Sequence, residues 1–482
     1  MNSSRKPISS GLFWKLLERF GVQGVQFVVQ IILARLLDPE HYGMLSIMII
    51  FTTLANVFIQ NGFNTALVQG KEVSEEDYSS VFWVSFGIAG ILYAVIFFCA
   101  PLIATFYSMS QIVSPLRVLA IILFPGALNS VQVAKISREL NFKKVFVSNV
   151  AAIAISGMVG VTMAYMGAGL WALVGQSLAN IFVSCIVMSF TASLKLRFRC
   201  NLSRVKTLFS FGWKLLVSSL IDTLYTDLNS LIIGKKYSSD MLGYYNKGTQ
   251  FPHLIINSIN GAVQSVMLPV LSAKQDEKEK AKSITRTSMM MSSYIIFPMM
   301  AGLAAVATPL ITLLLTEKWL PCVPYLQIAC ITFAFYPIHT SNLQAINASG
   351  RSDIFLKLEI IKKIVSVALL VGALLIFDTP MAIAWAGAVG VPIGLFINAF
   401  PNKKLINYSY FEQMKDILPS LIISGIMGLT VWSLTLLGWH PFLTIFLQIA
   451  LGVVVYITIS FITRVEPFVF MWNAVKQKIK KQ

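Results

Sequence analysis

Charged residues are scarce in this chain, and their scarcity excludes most soluble proteins. Asp, Glu, Lys and Arg make up 12% of the 482 residues, whereas a soluble domain carries roughly 25%. Hydrophobic residues account for 56% of the chain, and the mean hydropathy is +0.73. This composition is typical of a polytopic membrane protein and excludes a water-soluble enzyme of ordinary composition.

The sequence also lacks the short motifs of common enzymes and metal sites. No GxxxxGK[ST] phosphate loop occurs, which excludes an ATPase motor within the chain, and neither HExxH nor GxSxG is present. The five cysteines are scattered without CxxC or zinc-ligand spacing, and the four histidines lie far apart. We therefore expect no catalytic residues, no bound metal and no cofactor. The amino terminus lacks a small-residue cleavage site, so no removable signal peptide is predicted.

Long apolar runs, by contrast, are abundant. A helix needs about 20 residues to cross the hydrocarbon core of a bilayer, and helices are expected because an open sheet leaves unpaired backbone groups in lipid. The fold class predicted is therefore an all-α polytopic membrane protein with about 14 transmembrane helices. The predicted spans are 12–36, 44–66, 81–106, 112–134, 145–166, 169–192, 207–233, 244–272, 286–315, 321–347, 361–377, 381–400, 417–438 and 441–463.

The basic residues predict how the chain is oriented in the membrane. Most of the 38 Lys and Arg residues fall in the two ends and in alternate loops, which the positive-inside rule places in the cytoplasm. The intervening loops hold five: Arg35, Arg117, Lys235, Lys236 and Lys318. We predict that both termini are cytoplasmic and that the basic segments contact anionic lipid headgroups. The net charge of +17 is then a topology signal, and no nucleic acid is expected.

The chain repeats itself weakly along its length. Lys15 aligns with Lys214 in similar segments, the pair Tyr42-Gly43 with Leu242-Gly243, and Pro125 and Gln132 with Pro337 and Gln344. This order predicts two pseudo-symmetric six-helix lobes, and membrane repeats usually bracket a substrate site. We expect an N-terminal lobe over 1–200, a C-terminal lobe over 201–405, and two additional helices with a basic tail over 406–482.

Polar residues at helical spacing mark four of the predicted helices. The first carries a stripe at i, i+4, i+7 and i+11, and the seventh carries a matching stripe at the repeat offset. Such residues either bond helices together or line a hydrated path, and amides and hydroxyls suit sugar hydroxyls. The predicted substrate-binding cavity residues are Arg19, Gln23, Gln26, Gln30, Gln60, Asn64, Lys214, Asp222, Tyr225, Asn229, Lys247, Asn260 and Gln264.

Charged residues in or near the spans indicate which ligand groups the cavity would bind. Arg19, Lys214 and Lys247 suit a phosphate or diphosphate, since cations bind such groups and Arg does so bidentately; the alternative is that they snorkel to the interface. Asp222 and Asp227 are the candidate ion-coupling residues. The sequence leaves open whether Asp222 neutralises Lys214 or carries a proton.

Several segments resemble one family of bacterial exporters. They are IILARLLDPEHYGMLSI, NGFNTALVQ, SRELNFKK, LGYYNKGTQFP, VMLPVLS and GRSDIFLKLEI, between about residues 11 and 365. They resemble the Wzx-type oligosaccharide flippases of the MOP superfamily, in the branch of colanic-acid exporters and lipopolysaccharide biosynthesis proteins. The resemblance implies two lobes around a central cavity and two further helices. It also implies that a basic lining residue receives the diphosphate of the substrate, a role that would fall first to Arg19, then Lys214, then Lys247.

The resemblance further implies movement of an undecaprenyl-diphosphate-linked oligosaccharide to the periplasmic leaflet of the bacterial inner membrane, for surface polysaccharide export. Alternating access driven by a proton or sodium gradient is expected, with the polysaccharide polymerase machinery as a further partner. The alternatives are a cation-coupled multidrug exporter of the same superfamily, which should have acidic cavity residues, and a lipid II flippase. A membrane glycan polymerase or ligase is disfavoured because the loops predicted to be periplasmic are short.

Overall fold

In a computed structural model of the chain, almost all the described residues are helical. The structure describes residues 21–60, 67–68, 73–139, 141–191, 194, 196–197, 201–274 and 277–479. Over these ranges the chain forms α-helices joined by turns and short 3-10 segments, and no strand occurs in them. Continuous helices satisfy every backbone hydrogen bond within one segment, which is the requirement for a chain in lipid.

The first unit of the chain contains eight of these helices, and a ninth begins in it. They are α1 (Gln23–Leu36), α2 (Pro39–Gln60), α3 (Glu75–Phe106), α4 (Val113–Leu119), α5 (Leu123–Arg138), α6 (Phe142–Tyr165), α7 (Leu170–Thr191), α8 (Leu202–Lys236) and α9 (Ser239–Ser272).

The remaining helices follow in the second unit. They are α10 (Lys278–Ala305), α11 (Ala307–Leu315), α12 (Val323–Ala334), α13 (Tyr336–Ala348), α14 (Ser352–Ile376), α15 (Pro380–Leu405), α16 (Tyr410–Ser433), α17 (Pro441–Thr463) and α18 (Glu466–Ile479).

Eleven helical segments in the described part of the chain are long and apolar enough to cross a membrane. This confirms the prediction of an all-α polytopic membrane protein, while the exact number of fourteen stays a prediction. The other three predicted spans correspond to α1, whose described part is short, and to α8 and α14. The structure adds α18, a helix in the segment that the sequence analysis assigned only to a basic tail.

Two predicted spans are each built from two short helices. The run at 112–134 is α4 followed by α5, and the run at 321–347 is α12 followed by α13. Pro125 lies in the first turn of α5, and Pro337 lies in the first turn of α13. Proline is tolerated there because the first turn needs no backbone N–H donor. The repeat seen in the sequence therefore coincides with a shared helix break.

Capping boxes fix the start of one long helix in each unit. Ser74 accepts a hydrogen bond from the backbone N–H of Asp77, whose carboxylate accepts one from the backbone N–H of Ser74, at the start of α3. Ser409 and Glu412 form the same reciprocal pair at the start of α16. Such boxes satisfy N–H groups that have no partner within the helix.

The chain divides into two compact units, Met1–Gly243 and Tyr244–Gln482. In the first, the buried side chains of Leu67, Tyr78 and Val131 belong to one apolar cluster. In the second, Tyr294 and Tyr456 belong to another. The predicted lobes over 1–200 and 201–405 and the terminal segment over 406–482 stay a prediction about the repeat.

Candidate functional site

Not every predicted cavity residue lies in the described part of the chain. Arg19 and Asn64 lie outside the described residues. Lys214 lies on α8, but only its backbone is described. The stripe that includes Arg19 in the sequence is therefore described only from Gln23 onward.

The polar stripe of α1 becomes progressively buried along the helix. Gln23 and Gln26 are exposed, Gln30 is half-buried, and Ala34 on the same face is fully buried. At about 100° per residue these four positions share one side of the helix. Val28, on the opposite side, is 55% exposed. The helix thus has an exposed apolar side suited to lipid and an exposed polar side that requires water or protein.

The stripe of α8 has the same gradient. Asp222 is exposed, Tyr225 and Asn229 are half-buried, and Ile233 is fully buried. Leu224, on another side of the helix, is 45% exposed. The four stripe positions of α8 follow those of α1 at the repeat offset found in the sequence. Two helices of the first unit therefore present matching hydrogen-bonding faces, each open at one end and covered at the other.

The predicted residues of α2 and α9 divide into exposed and buried ones. Gln60 is half-buried at the end of α2, and Gln264 of α9 is exposed. Asn260 is 7% exposed, and its side-chain oxygen accepts no hydrogen bond from the described residues. Lys247 is 5% exposed, and its Nζ lies 5.8 Å from the centre of the Trp319 ring. Lys247 is packed inside the second unit, so its environment differs from that of a side chain in a hydrated face.

The first turns of α2 and α9 meet without side chains between them. A Cβ atom on Gly43 would overlap the backbone carbonyl of Ser239, and one on Gly243 would overlap the backbone carbonyl of Pro39. Pro39 and Ser239 are the first residues of the two helices that carry these glycines. Small residues allow membrane helices to approach this closely. The contact lies just beyond the buried ends of the stripes on α1 and α8.

A buried amide cluster in the second unit was missed by the sequence analysis. Asn342 Nδ2 donates to Gln413 Oε1 at 2.8 Å, and Gln413 Nε2 donates back to Asn342 Oδ1 at 2.9 Å. Asn402 Nδ2 donates to the same Asn342 oxygen at 2.7 Å. All three side chains are fully buried. The cluster fastens α13, α15 and α16 to one another, which is a structural role for membrane amides.

A charged cluster beside it was also missed. Arg286 of α10 donates to both carboxylate oxygens of Asp416 at 3.0 Å. It also donates to both carboxylate oxygens of Glu466, at 2.8 and 2.6 Å. The hydroxyl of Tyr408 donates to Asp416 at 2.6 Å. The sequence analysis did not single out these residues, because no sequence spacing shows that α10, α16 and α18 meet.

Metal binding has no support within the described ranges. No group of three or more His, Cys, Asp and Glu side chains lies close enough there to hold a metal ion. The polar faces instead consist of amides, hydroxyls and a carboxylate. Such faces suit a ligand with many hydroxyl groups.

Comparisons with known proteins agree with the resemblance found in the sequence. The chain is 23% identical over 463 residues to the lipopolysaccharide biosynthesis protein WzxC of Escherichia coli (strain K12), covering 94% of this chain and 89% of that one. It is 23% identical over 460 residues to the teichuronic acid biosynthesis protein TuaB of Bacillus subtilis (strain 168), covering 94% of both.

Solved structures share the fold at low identity. The lipid II flippase MurJ in an inward closed conformation matches with a TM-score of 0.74 and 15% identity, covering 94% of this chain and 99% of that one. A multidrug resistance MATE family transporter of the MOP superfamily matches with a TM-score of 0.62 and 14% identity, covering 81% and 98%. Residues 32–324 match the family described as polysaccharide biosynthesis protein. The chain is therefore an integral membrane protein and belongs to the polysaccharide biosynthesis protein family.

Proposed function

We propose that this protein is a flippase that moves an undecaprenyl-diphosphate-linked oligosaccharide from the cytoplasmic to the periplasmic leaflet of a bacterial inner membrane. The observation that carries the proposal is the matching gradient of burial on α1 and α8. Two hydrogen-bonding faces that are open at one end and covered at the other are the expected walls of a cavity with access from one side of the membrane. The family and its relatives in lipopolysaccharide and teichuronic acid biosynthesis support the same conclusion.

The side chains on these faces suit the oligosaccharide. Gln23, Gln26, Tyr225 and Asn229 offer both donors and acceptors, as sugar hydroxyls require. A sugar that crosses roughly 30 Å of hydrocarbon needs a continuous polar surface around its path. A single polar stripe would line only one side of that path. Two stripes at the repeat offset supply polar surface from two helices, while the polyprenyl chain stays in lipid.

The diphosphate is assigned to the cations in or beside the stripes. Arg19 precedes Gln23 by four residues in the sequence, a spacing of about one helical turn, so we assign it this role first. Lys214 of α8 comes second, because it lies two turns before Asp222. Lys247 comes third, because its packing against Trp319 keeps it inside the second unit. Cations at the open end of the faces would attract the anionic group before the sugars enter.

Alternating access supplies the movement. The positive-inside rule places the open ends of both stripes toward the cytoplasm and the contact of Gly43 with Ser239 toward the periplasm. In this proposal the contact between the first turns of α2 and α9 closes the periplasmic side. Separating α2 from α9 at these glycines would expose the covered ends of the stripes to the periplasm.

A proton or sodium gradient drives the cycle in this proposal, with Asp222 as the coupling residue. Asp222 is exposed on the polar face, where a cation reaches it from water. Asp227 lies about 140° around the helix from Asp222 at 100° per residue, so it is the weaker candidate. The polysaccharide polymerase machinery would receive the product at the outer leaflet.

The test is the lipid-linked glycan pool of the native host after deletion of this gene. We expect undecaprenyl-diphosphate oligosaccharide to accumulate in the inner leaflet, surface polysaccharide to be lost, and the wild-type gene to restore both. Arg19→Ala should fail to restore export at a normal protein level, and full export by that variant would overturn the role of Arg19. Accumulation of lipid II instead would identify a lipid II flippase. An unchanged pool with new sensitivity to cationic drugs would identify a multidrug exporter.

A further inference from the structure

The helix α18 follows closely on the apolar helix α17. The apolar helix α17 ends at Thr463, and α18 begins at Glu466. Only Arg464 and Val465 connect them, and Arg464 adopts a left-handed backbone conformation with φ of 49°. A two-residue connection with this conformation turns the chain sharply. Because α17 is long and apolar enough to cross a membrane, we expect α18 to start at the depth where α17 leaves the bilayer.

The start of α18 is held by the second unit. Arg286 donates two hydrogen bonds to the carboxylate of Glu466. Phe468 packs against the cluster that contains Tyr294 and Tyr456, and its ring stacks on Trp472 at 6.0 Å between ring centres. These contacts fix the position of the helix without covering its next turn.

That next turn exposes four consecutive apolar side chains. Val469 is 37% exposed, Phe470 59%, Met471 42% and Trp472 45%. Large apolar side chains in water are costly unless another surface covers them. Aromatic rings, and Trp in particular, are enriched where hydrocarbon meets the headgroups.

Basic residues follow this apolar turn after Asn473, Ala474 and Val475. Lys476 is exposed, and its Nζ lies 5.4 Å from the centre of the Trp472 ring. Lys478, Lys480 and Lys481 follow in the sequence, with no acidic residue after Glu466. An apolar turn followed by lysines is the pattern of a helix that lies in the membrane interface and binds anionic lipids.

We propose that α18 is an interfacial helix whose partner is the anionic phospholipid surface of the leaflet where α17 ends. Phe470, Met471 and Trp472 enter the headgroup boundary, and the lysines bind the phosphate groups of anionic lipids. The ion pair of Arg286 with Glu466 couples this lipid contact to α10. The proposal does not depend on what the protein transports, because it rests on α18 and its contacts with the second unit alone.

The test uses the full-length protein in nanodiscs of phosphatidylcholine alone and in nanodiscs with 30% phosphatidylglycerol. Chymotrypsin cleaves after exposed aromatic residues, so cleavage at Phe470 and Trp472 reports whether α18 is covered. One lysine near an anionic surface strengthens binding by about fivefold. We therefore expect cleavage to be at least tenfold slower in the anionic nanodiscs.

A four-lysine variant identifies the residues responsible. K476Q/K478Q/K480Q/K481Q should cleave at the same fast rate in both kinds of nanodisc. The matched control K278Q/K280Q/K403Q/K404Q removes the same charge from exposed lysines at two other helix ends, and it should keep the protection of the wild type. Thermal unfolding of both variants verifies that they fold.

Three outcomes would overturn the proposal. Equal cleavage of the wild type in neutral and anionic nanodiscs would show that lipid charge does not hold α18. Retained protection in the four-lysine variant would exclude the lysines. Protection that rises with the number of protein copies per disc, at constant lipid composition, would assign the surface to a second copy of the chain.

Discussion

Gly43 of α2 lies against the first residue of α9, and Gly243 of α9 lies against the first residue of α2. The two contacts are equivalent, because each glycine is the fifth residue of its helix and each meets the first residue of the other helix. Both are fully covered, and neither tolerates a Cβ atom without movement of a backbone carbonyl. A backbone cannot yield as a flexible side chain does, so this pair is the most sensitive point of the proposed outer closure.

Gly43→Ala is expected to weaken the outer closure and to reduce transport at least tenfold. The added methyl group overlaps the Ser239 carbonyl, so α2 and α9 must separate. In a variant without native cysteines, Gln30→Cys should then react faster with a membrane-impermeant thiol reagent added from outside.

Gly87→Ala is the matched control for this prediction. A Cβ atom on Gly87 of α3 meets no atom within 4 Å, so this change tests helix propensity and membrane insertion alone. Transport and labelling by Gly87→Ala should equal those of the parent. An unchanged labelling rate in Gly43→Ala would contradict the role of the glycine contact.

Asp222→Asn is expected to abolish ion-driven transport, since the amide removes a carboxylate that is exposed on the polar face of α8. Asp227→Asn serves as the control on the same helix, and it should retain most of the activity because Asp227 lies off the stripe. Export in cells and uptake into proteoliposomes under a proton or a sodium gradient would measure both variants. Equal loss in the two variants would argue against a specific coupling role for Asp222.

Arg286→Gln is expected to lower the stability of the second unit by about 1 kcal/mol. Hydrogen bonds to charged groups contribute about 1.5–3 kcal/mol, but the Arg286 side chain is 33% exposed, so solvent screens part of this. The thermal unfolding midpoint in detergent provides the measurement. Arg351→Gln is the control, because Arg351 pairs with Asp353 two residues away at the start of α14 and both side chains are exposed, so the midpoint should not change. A midpoint for Arg286→Gln equal to that of the wild type would contradict the prediction.

Attachment of α18 should weaken at acid pH. The hydrogen bonds from Arg286 hold the pKa of Glu466 below its ordinary value of 4.5. Because the pKa is lower in the folded protein, the stabilisation is complete above about 4.5 and is lost as the pH falls through the folded pKa. The difference in unfolding midpoint between the wild type and Glu466→Gln should therefore be constant near pH 7 and should shrink below pH 4.5. A difference that stays constant down to pH 3 would exclude Glu466 as the titrating group.

Asn342→Ala is expected to destabilise the second unit by about 2 kcal/mol. The change removes the partner of Gln413 and Asn402 in three buried hydrogen bonds, and such bonds between membrane helices contribute about 0.6 kcal/mol each on average, with more for a donor left unpaired. Gln344→Ala on the same helix is the control, because Gln344 is only half-buried and should have a smaller effect. Denaturation of the purified protein compares the two. A larger loss in Gln344→Ala than in Asn342→Ala would contradict a stabilising role for the amide cluster.

The sequence predicted the helical segments well because apolar runs of spanning length are a local property. It predicted 112–134 and 321–347 as single spans, whereas the structure builds each from two short helices, with Pro125 and Pro337 in the first turn of the second helix. It did not predict α18, because the apolar run from Pro467 to Trp472 is too short to appear as a span. It did not connect Arg286, Asp416 and Glu466, because their meeting depends on how α10, α16 and α18 pack.

The sequence by itself determined the class of the protein, its family and the polar faces of α1 and α8. These follow from composition and from spacing along single helices, where each residue's position around the axis is fixed by the helical repeat. Tertiary structure alone decided which ends of those faces are covered. It also decided which glycines meet a backbone and which charges form ion pairs. These depend on distances between residues far apart in the chain, such as the 130 positions that separate Arg286 from Asp416, and helical periodicity contains no information about them.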